Sequence, residues 1–423
     1  MRRMTVSLLS GTALFALTGL PALAQEDFPD PSPDADVVVI DQVQLSDVFA
    51  NMNVVVIGNA EGADAVATAT GNTTSANSHN NDLDFDAVQQ QDGSVTAIST
   101  ISGGTVYGAP ARTVTTAYGN AASSSTTNGT DFSMVTQTSN ADVGAYSDIE
   151  LDGADDVSAI TTATANVNSY STENGTNRGF QTQTGNADVT AVTEANLYYN
   201  GNSASIGSTA TGNSVSSYGS TTTSFNGAVQ VMDFDTRVSA YTDTYIGTAN
   251  NVAVSATAAA NNVKVENEWG YATLGREPSE VYQGNGADVQ AEASLTLTDW
   301  NGSSGSTAYG VGNSALISNV GSDTALYANQ ENFGNVDSAA YFSGGNTDGS
   351  VGYASATSIG NAATATLCYS CGQDNVLFGR TNQTNYSNTT ASAYVEGGNG
   401  GYLSGAATAV GNSATYHSIN SND

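Results

Sequence analysis

Few residues in this chain could do chemistry. Cys368 and Cys371 are its two cysteines, spaced Cys-x-x-Cys. That spacing serves a redox centre, half a zinc site or a loop clip. No second pair exists and neither His is near in sequence, so zinc lacks ligands. An exported chain would oxidise the pair, so a disulfide closing a short loop is expected. Acidic clusters stand at Asp82, Asp84 and Asp86, at Asp152, Asp155 and Asp156, and at Asp233 and Asp235. Converging carboxylates suit calcium, but the Gly-Gly-x-Gly-x-Asp repeat of calcium solenoids is missing, so solvated outward acids are expected and no metal site. Lys264, the only lysine, falls near Trp269, Tyr271, Arg276 and Pro278. This group is a candidate partner contact, with Trp269 offering a face for sugar stacking. Two His and one Lys leave little material for acid–base catalysis. No catalytic residue and no cofactor site is expected.

Charge narrows the partners. Lys+Arg number 8 against 40 Asp+Glu, for a net charge of −32. Phosphate binding needs clustered cations, so nucleic acid is excluded, and so is polybasic docking to anionic lipid. Charged residues make up 11% of the chain, where a soluble globular domain has about 25%; Gly, Ser, Thr, Asn and Ala fill the gap. Residues 1–24 carry Arg2 and Arg3, an apolar run from Val6 to Leu20, and an Ala22-Leu23-Ala24 end. This is the pattern of a cleaved secretory signal peptide. Residues 25–40 form an acidic, Pro-rich segment, and no later stretch is apolar enough to span a bilayer as a helix. Export without direct membrane insertion is expected.

The elements that must position these residues come from a repeat. One motif is small-x-Gly-Asn, as in Ala117-Tyr118-Gly119-Asn120; its Asn recurs at Asn72, Asn120, Asn166, Asn213, Asn261, Asn313, Asn361 and Asn412. The other is Gln-x-x-Asn-Ala-Asp-Val, as in Gln183 to Val189; its Gln recurs at Gln42, Gln89, Gln137, Gln183, Gln230, Gln283, Gln330 and Gln383. Gln-to-Asn intervals run 29 to 31, and Asn-to-Gln intervals are 17, except for two of 22 after Asn261 and Asn361. The chain from residue 41 to 423 is therefore eight tandem units of about 47 residues with two five-residue insertions. The first insertion would hold the Lys264–Pro278 group and the second the cysteine pair.

Within a copy, Gln183, Gly185, Ala187, Val189 and Ala191 share one parity. Period two means strand, and Gly, Asn and β-branched residues are poor helix formers. The fold expected is an all-β solenoid. Half of 47 is close to 23, which suggests two strand–turn–strand coils per unit, with the Gln and Asn motifs at one point on successive coils. Sixteen such coils at about 4.8 Å would make a rod of roughly 75 Å. The inward small residues predict a narrow core. Inward Gln and Asn would stack into side-chain ladders, since an unpaired buried amide is costly. They are expected to be scaffold.

Strand–turn–strand units with Gln followed by Asn-x-x-Val resemble the curlin repeat of bacterial amyloid fibres. The whole pattern also resembles the alphaproteobacterial holdfast anchor protein D family: a signal peptide, an acidic Lys-poor chain, and Gly-Asn and Asn-Ala-Asp-Val repeats. The resemblance implies a non-enzymatic surface protein that helps tether an adhesive polysaccharide holdfast to the cell envelope. It implies envelope partners, a secretion lipoprotein pore and a smaller curlin-like anchor protein, besides the extracellular polysaccharide. A fibre subunit that self-associates by coil stacking is the alternative. A β-helical polysaccharide lyase needs a cluster of cations that this chain lacks. Twenty Tyr against eleven Phe and two Trp is a balance suited to sticky surfaces. The acidic N-terminal segment would protect one end of the stack, leaving the turn around Gly411 and Asn412 as the docking edge.

Overall fold

The computed structural model describes residues 34–276, 280–347, 350–369, 375–398 and 401–420. The expected signal peptide lies outside the described residues. Every described element is a β-strand, as the two-residue alternation predicts. The first turn holds β1 (Asp36–Gln44), β2 (Val48–Ala60) and β3 (Ala63–His79). The second holds β4 (Leu83–Gln91), β5 (Val95–Val106) and β6 (Ala111–Thr127). In the third and fourth, two of these strands run together: β7 (Thr130–Ser139) with β8 (Val143–Glu173), then β9 (Thr176–Gly185) with β10 (Val189–Ser220). The fifth holds β11 (Thr223–Met232), β12 (Arg237–Ala249) and β13 (Asn251–Glu268). The sixth holds β14 (Ala272–Leu274), β15 (Val281–Asn285), β16 (Asp288–Trp300) and β17 (Ser303–Val320). The seventh holds β18 (Thr324–Asn332), β19 (Val336–Thr347) and β20 (Val351–Tyr369). The eighth holds β21 (Leu377–Asn385), β22 (Thr389–Gly397) and β23 (Tyr402–Asn420).

All pairings between turns are parallel, and the register corrects the expected coil. Gln89 pairs with Gln42 and Gln137, and Asn120 with Asn72 and Asn166. The stacking unit is the whole repeat, so the described residues form eight turns and not sixteen half-length coils. The Gln and Asn motifs are two points on one turn. At about 4.8 Å per turn the stack rises roughly 40 Å, not the length that sixteen coils would give. The physical reason lies in the unequal intervals. The long step from Gln to Asn and the short step from Asn to Gln cannot superpose on a half-turn.

Each turn has a first side ending at Gln, a second side, and a long return side. Along β6 the inward alternation slips by one at Gly119 and Asn120, both buried. Residues before the slip face the second side, as Thr113 accepts from Ser147 Oγ at 2.6 Å. Residues after it face the first side, as Ser124 Oγ donates to Asp131 at 2.9 Å. The interior is thin as expected, with rows of Ala and Val such as Ala97, Ala145, Ala191, Ala240 and Ala291. Smaller clusters sit between the first sides and the end of the return, including Leu83, Phe85 and Ala122, and Leu274, Val281 and Leu326.

The corner after the return strand needs a left-handed residue in turn after turn. Asn80, Asn128, Asn174, Thr221, Trp269 and Gly321 stack there with φ between 54° and 93°. Each donates its N–H to the following turn, as Trp269 does to Val320 O at 2.7 Å. The sixth turn holds the first insertion between the end of β14 at Leu274 and the start of β15 at Val281. The insertion is thus narrower than expected: Lys264 lies within β13, Trp269 occupies the regular corner, and Arg276 alone of the three sits in the break.

Candidate functional site

The amide residues come together as two ladders on facing walls. Up the return strands, each Asn Nδ2 donates to the Oδ1 of the following turn, from Asn72 to Asn120 and on to Asn412, at 2.7–2.9 Å. On the first sides each Gln Nε2 donates to the Oε1 of the preceding turn, from Gln383 down to Gln42, at 2.7–2.8 Å. The ladders therefore run in opposite directions. The second amide hydrogen crosses the core. Gln183 donates to Ser214 O at 3.0 Å, and Asn166 to Thr184 O at 2.9 Å. Between the ends of each ladder both amide hydrogens are used, which is what burial demands. A shorter ladder joins Asn285, Asn332 and Asn385 at 2.7 Å.

The Asp of the Asn-Ala-Asp-Val motif does work that its outward parity hides. Asp47 Oδ1 accepts the Ser94 N–H at 2.9 Å, and Asp188 Oδ1 accepts the Arg237 N–H at 2.8 Å. Asp288 does the same for Asn335 at 3.0 Å. Each carboxylate clips the next turn at the corner entering the second side. Three acids of the clusters are spent similarly: Asp82 accepts from Thr130 N at 2.7 Å, Asp155 from Gly108 N at 3.2 Å, and Asp156 from Ser203 Oγ at 2.7 Å. Among the described residues no group of three or more His, Cys, Asp or Glu is placed to hold a metal ion.

One acid is inside. Asp131 is fully buried where Leu83 and Asn177 stand in the neighbouring turns. Burial pushes its carboxyl up to about 7, against the lowering effect of the Ser124 hydrogen bond. Its Oδ1 has no partner, nor has either amide atom of Asn168 or the hydroxyl of Thr126. Tyr170, also buried, donates to Asn226 Oδ1 at 3.0 Å. Repeat spacing carried no signal for this polar interior, because the residue type changes from turn to turn: Leu83, Asp131, Asn177, Ser224, Ala272 and Thr324 succeed one another in one column.

The outer face of the second sides is acidic and aromatic. Asp148, Glu194 and Asp243 stack in register on successive turns, with Tyr146, Val192 and Tyr241 one column away. Burial, then the charges of Glu194 and Glu150, raise the Asp148 carboxyl. Burial and Asp243 raise Glu292. At the Gln corner Phe333 and Tyr386 stack at 4.6 Å and 5°. Lys264 pairs with Glu266 at 2.8 Å on its own strand. Trp269 is largely exposed, with its ring beside Gly321. Arg276 is exposed in the break. The three do not converge on one site. Cys368 lies near the end of β20, opposite Val320 and Ile419. Cys371, and with it the expected disulfide, lies outside the described residues. No helix among the described residues is long and apolar enough to cross a membrane.

No curated protein and no solved structure matches the chain. The family model of holdfast attachment protein D, HfaD, matches residues 57–335. That span runs from within β2 to the residue before β19, and so includes the central ladders and the clips made by Asp188 and Asp288. The chain belongs to the holdfast attachment protein D family.

Proposed function

We propose that the chain is a non-enzymatic surface protein that tethers an adhesive polysaccharide holdfast to the cell envelope. The match to the holdfast attachment family over residues 57–335 carries this reading. The fold supports it. Backbone and side-chain hydrogen bonds both run between turns, so a pull along the stack loads each interface as a whole. In this reading the leader of residues 1–24 directs export, and the protein is held at the external face of the outer membrane by envelope partners. A secretion lipoprotein pore and a smaller curlin-like anchor protein are the partners proposed, with the adhesive polysaccharide on the other side. The Gln and Asn ladders serve as scaffold. A strain lacking the gene should fail to hold its attachment, with holdfast recovered from the medium. Normal attachment with cell-bound holdfast in that strain would overturn the role. A second reading, a curlin-like fibre subunit, draws on the strands left unpaired at both ends of the described stack. Concentration-dependent polymerisation of the purified chain would favour it.

A further inference from the structure

The first turn differs from the rest in what it shows to solvent. In β4 the outward positions are Asp84, Asp86, Val88 and Gln90; the same columns in β1 hold Val37, Val39, Asp41 and Val43. In β5 the outward residues Thr96, Ile98, Thr100 and Ser102 stand in the columns of Phe49, Asn51, Asn53 and Val55 in β2. Leu45 and Ile57 sit at the corners beside them. Exposure is 71% at Val39, 76% at Leu45, 62% at Phe49 and 92% at Ile57. In β2 the inward row is apolar too, with Val48, Ala50 and Val54 packed on the core, and in β1 Val38 and Ile40 pack inward before the ladder amide Gln42. A strand apolar on both faces belongs inside a covered parallel sheet. These strands also have a bare edge, since β1 pairs with β4, β2 with β5 and β3 with β6, and with no other described strand.

We infer that the first turn is a docking surface for a β-strand protein that pairs with this edge and folds an apolar, carboxylate-poor face over Val37, Val39, Phe49 and Ile57. The inference rests on the proposed anchoring role. A β-partner is required because the edge offers unpaired N–H and C=O groups that another strand satisfies. The sequence just before β1 is poor in donors for that pairing: Pro29, Pro31 and Pro33 alternate there, and proline has no N–H to donate. A second copy stacking by its last turn would cover the edge alone. Continued in register, its outer residues Arg380, Thr384, Thr390 and Glu396 would only extend the columns of Val39, Val43, Phe49 and Val55, leaving them in water. Charge points the same way. β1 and β2, with their linker, carry Asp36, Asp41 and Asp47 and no cation, which repels an anionic lipid surface.

The test is made on whole cells producing the full chain. V37T/V39T/F49T/I57T keeps strand-forming residues and removes the apolar outer row. Its share of protein in the medium should rise about ten-fold over wild type, a loss of one decade in affinity. The apolar control V37I/V39I/F49L/I57V should stay cell-bound. Both purified variants should melt within a few degrees of wild type, since the changed side chains lie outside the core. A polar variant that remains cell-bound overturns the surface assignment. So does self-association of the purified wild type that the variant abolishes, which would identify a second copy as the occupant. Flotation of the wild type, and not the variant, with phosphatidylcholine vesicles would identify lipid and overturn it as well. Retention of the protein is scored apart from retention of the holdfast, so a strain lacking the gene that keeps its holdfast sinks the anchoring role separately.

Discussion

Gln183 donates to Gln137 Oε1 and Ser214 O and accepts from Gln230 Nε2. Gln183→Leu strands an acceptor below, a carbonyl across and a donor above. The expected loss is about 1–3 kcal/mol, read by chemical denaturation. Asp188→Asn should change little, because an amide oxygen can keep the bond to Arg237 N, as Asn335 does for Asn388. Asp188→Ala should lower the melting temperature; equal melting of the two Asp188 variants would remove the corner clip. Asp131 supplies the pH dependence. Its folded pKa of about 7 lies above the carboxylate value of 3.8. The stability it contributes is therefore complete below about pH 4 and is lost as pH rises through about 7. Asp131→Asn should match wild type at pH 4 and exceed it at pH 8 by roughly 2–4 kcal/mol, followed by melts across that range. A constant difference with pH would place the carboxylate in water. The ladders were legible in the sequence, because eight amides at a fixed interval have one cheap way to be buried. Asp131 and the clips were not. One stands in a column whose residue type changes from turn to turn, and the others occupy an outward position where a solvated acid is the ordinary expectation.

Among the elements, the return strand and its corner carry the local strain. Thr221 holds φ of 54° with a branched Cβ, a region that favours glycine and asparagine. Thr221→Gly should therefore stabilise the fifth turn by about 1 kcal/mol, measured as a rise in the denaturation midpoint. A fall would mean that the Thr222 and Thr221 backbone contacts, not φ, decide the corner. The inward parity of each strand was plain from period two, and so was the presence of two insertions. The stacking period was not, because Gln and Asn are both amides and look interchangeable along the chain. The available signal was the inequality of their intervals, long from Gln to Asn and short from Asn to Gln. The return strand changes the wall it faces at Gly-Asn, and a change of partner partway along one strand leaves no mark on strand propensity.

At the scale of the whole molecule, a turn that spans the whole repeat makes a clear prediction. Excising residues 183–229 joins Thr182 to Gln230 and removes one full turn. The shortened chain should keep its β-sheet circular dichroism and a single cooperative melt. Excising only 183–205, half a turn, should abolish both, because every downstream Gln would meet an Asn wall out of phase. If both deletions fold, the half-turn is the true unit. The opposed directions of the two amide ladders bear on how such a protein came to have eight turns. Each ladder is a row of aligned dipoles, and a single row would leave partial charges of opposite sign at its two ends. Paired against its opposite, each new turn brings equal and cancelling polarity. Copying one repeat-length segment of the gene therefore lengthens the protein while each end keeps the same balanced polarity, and the number of turns is free to vary.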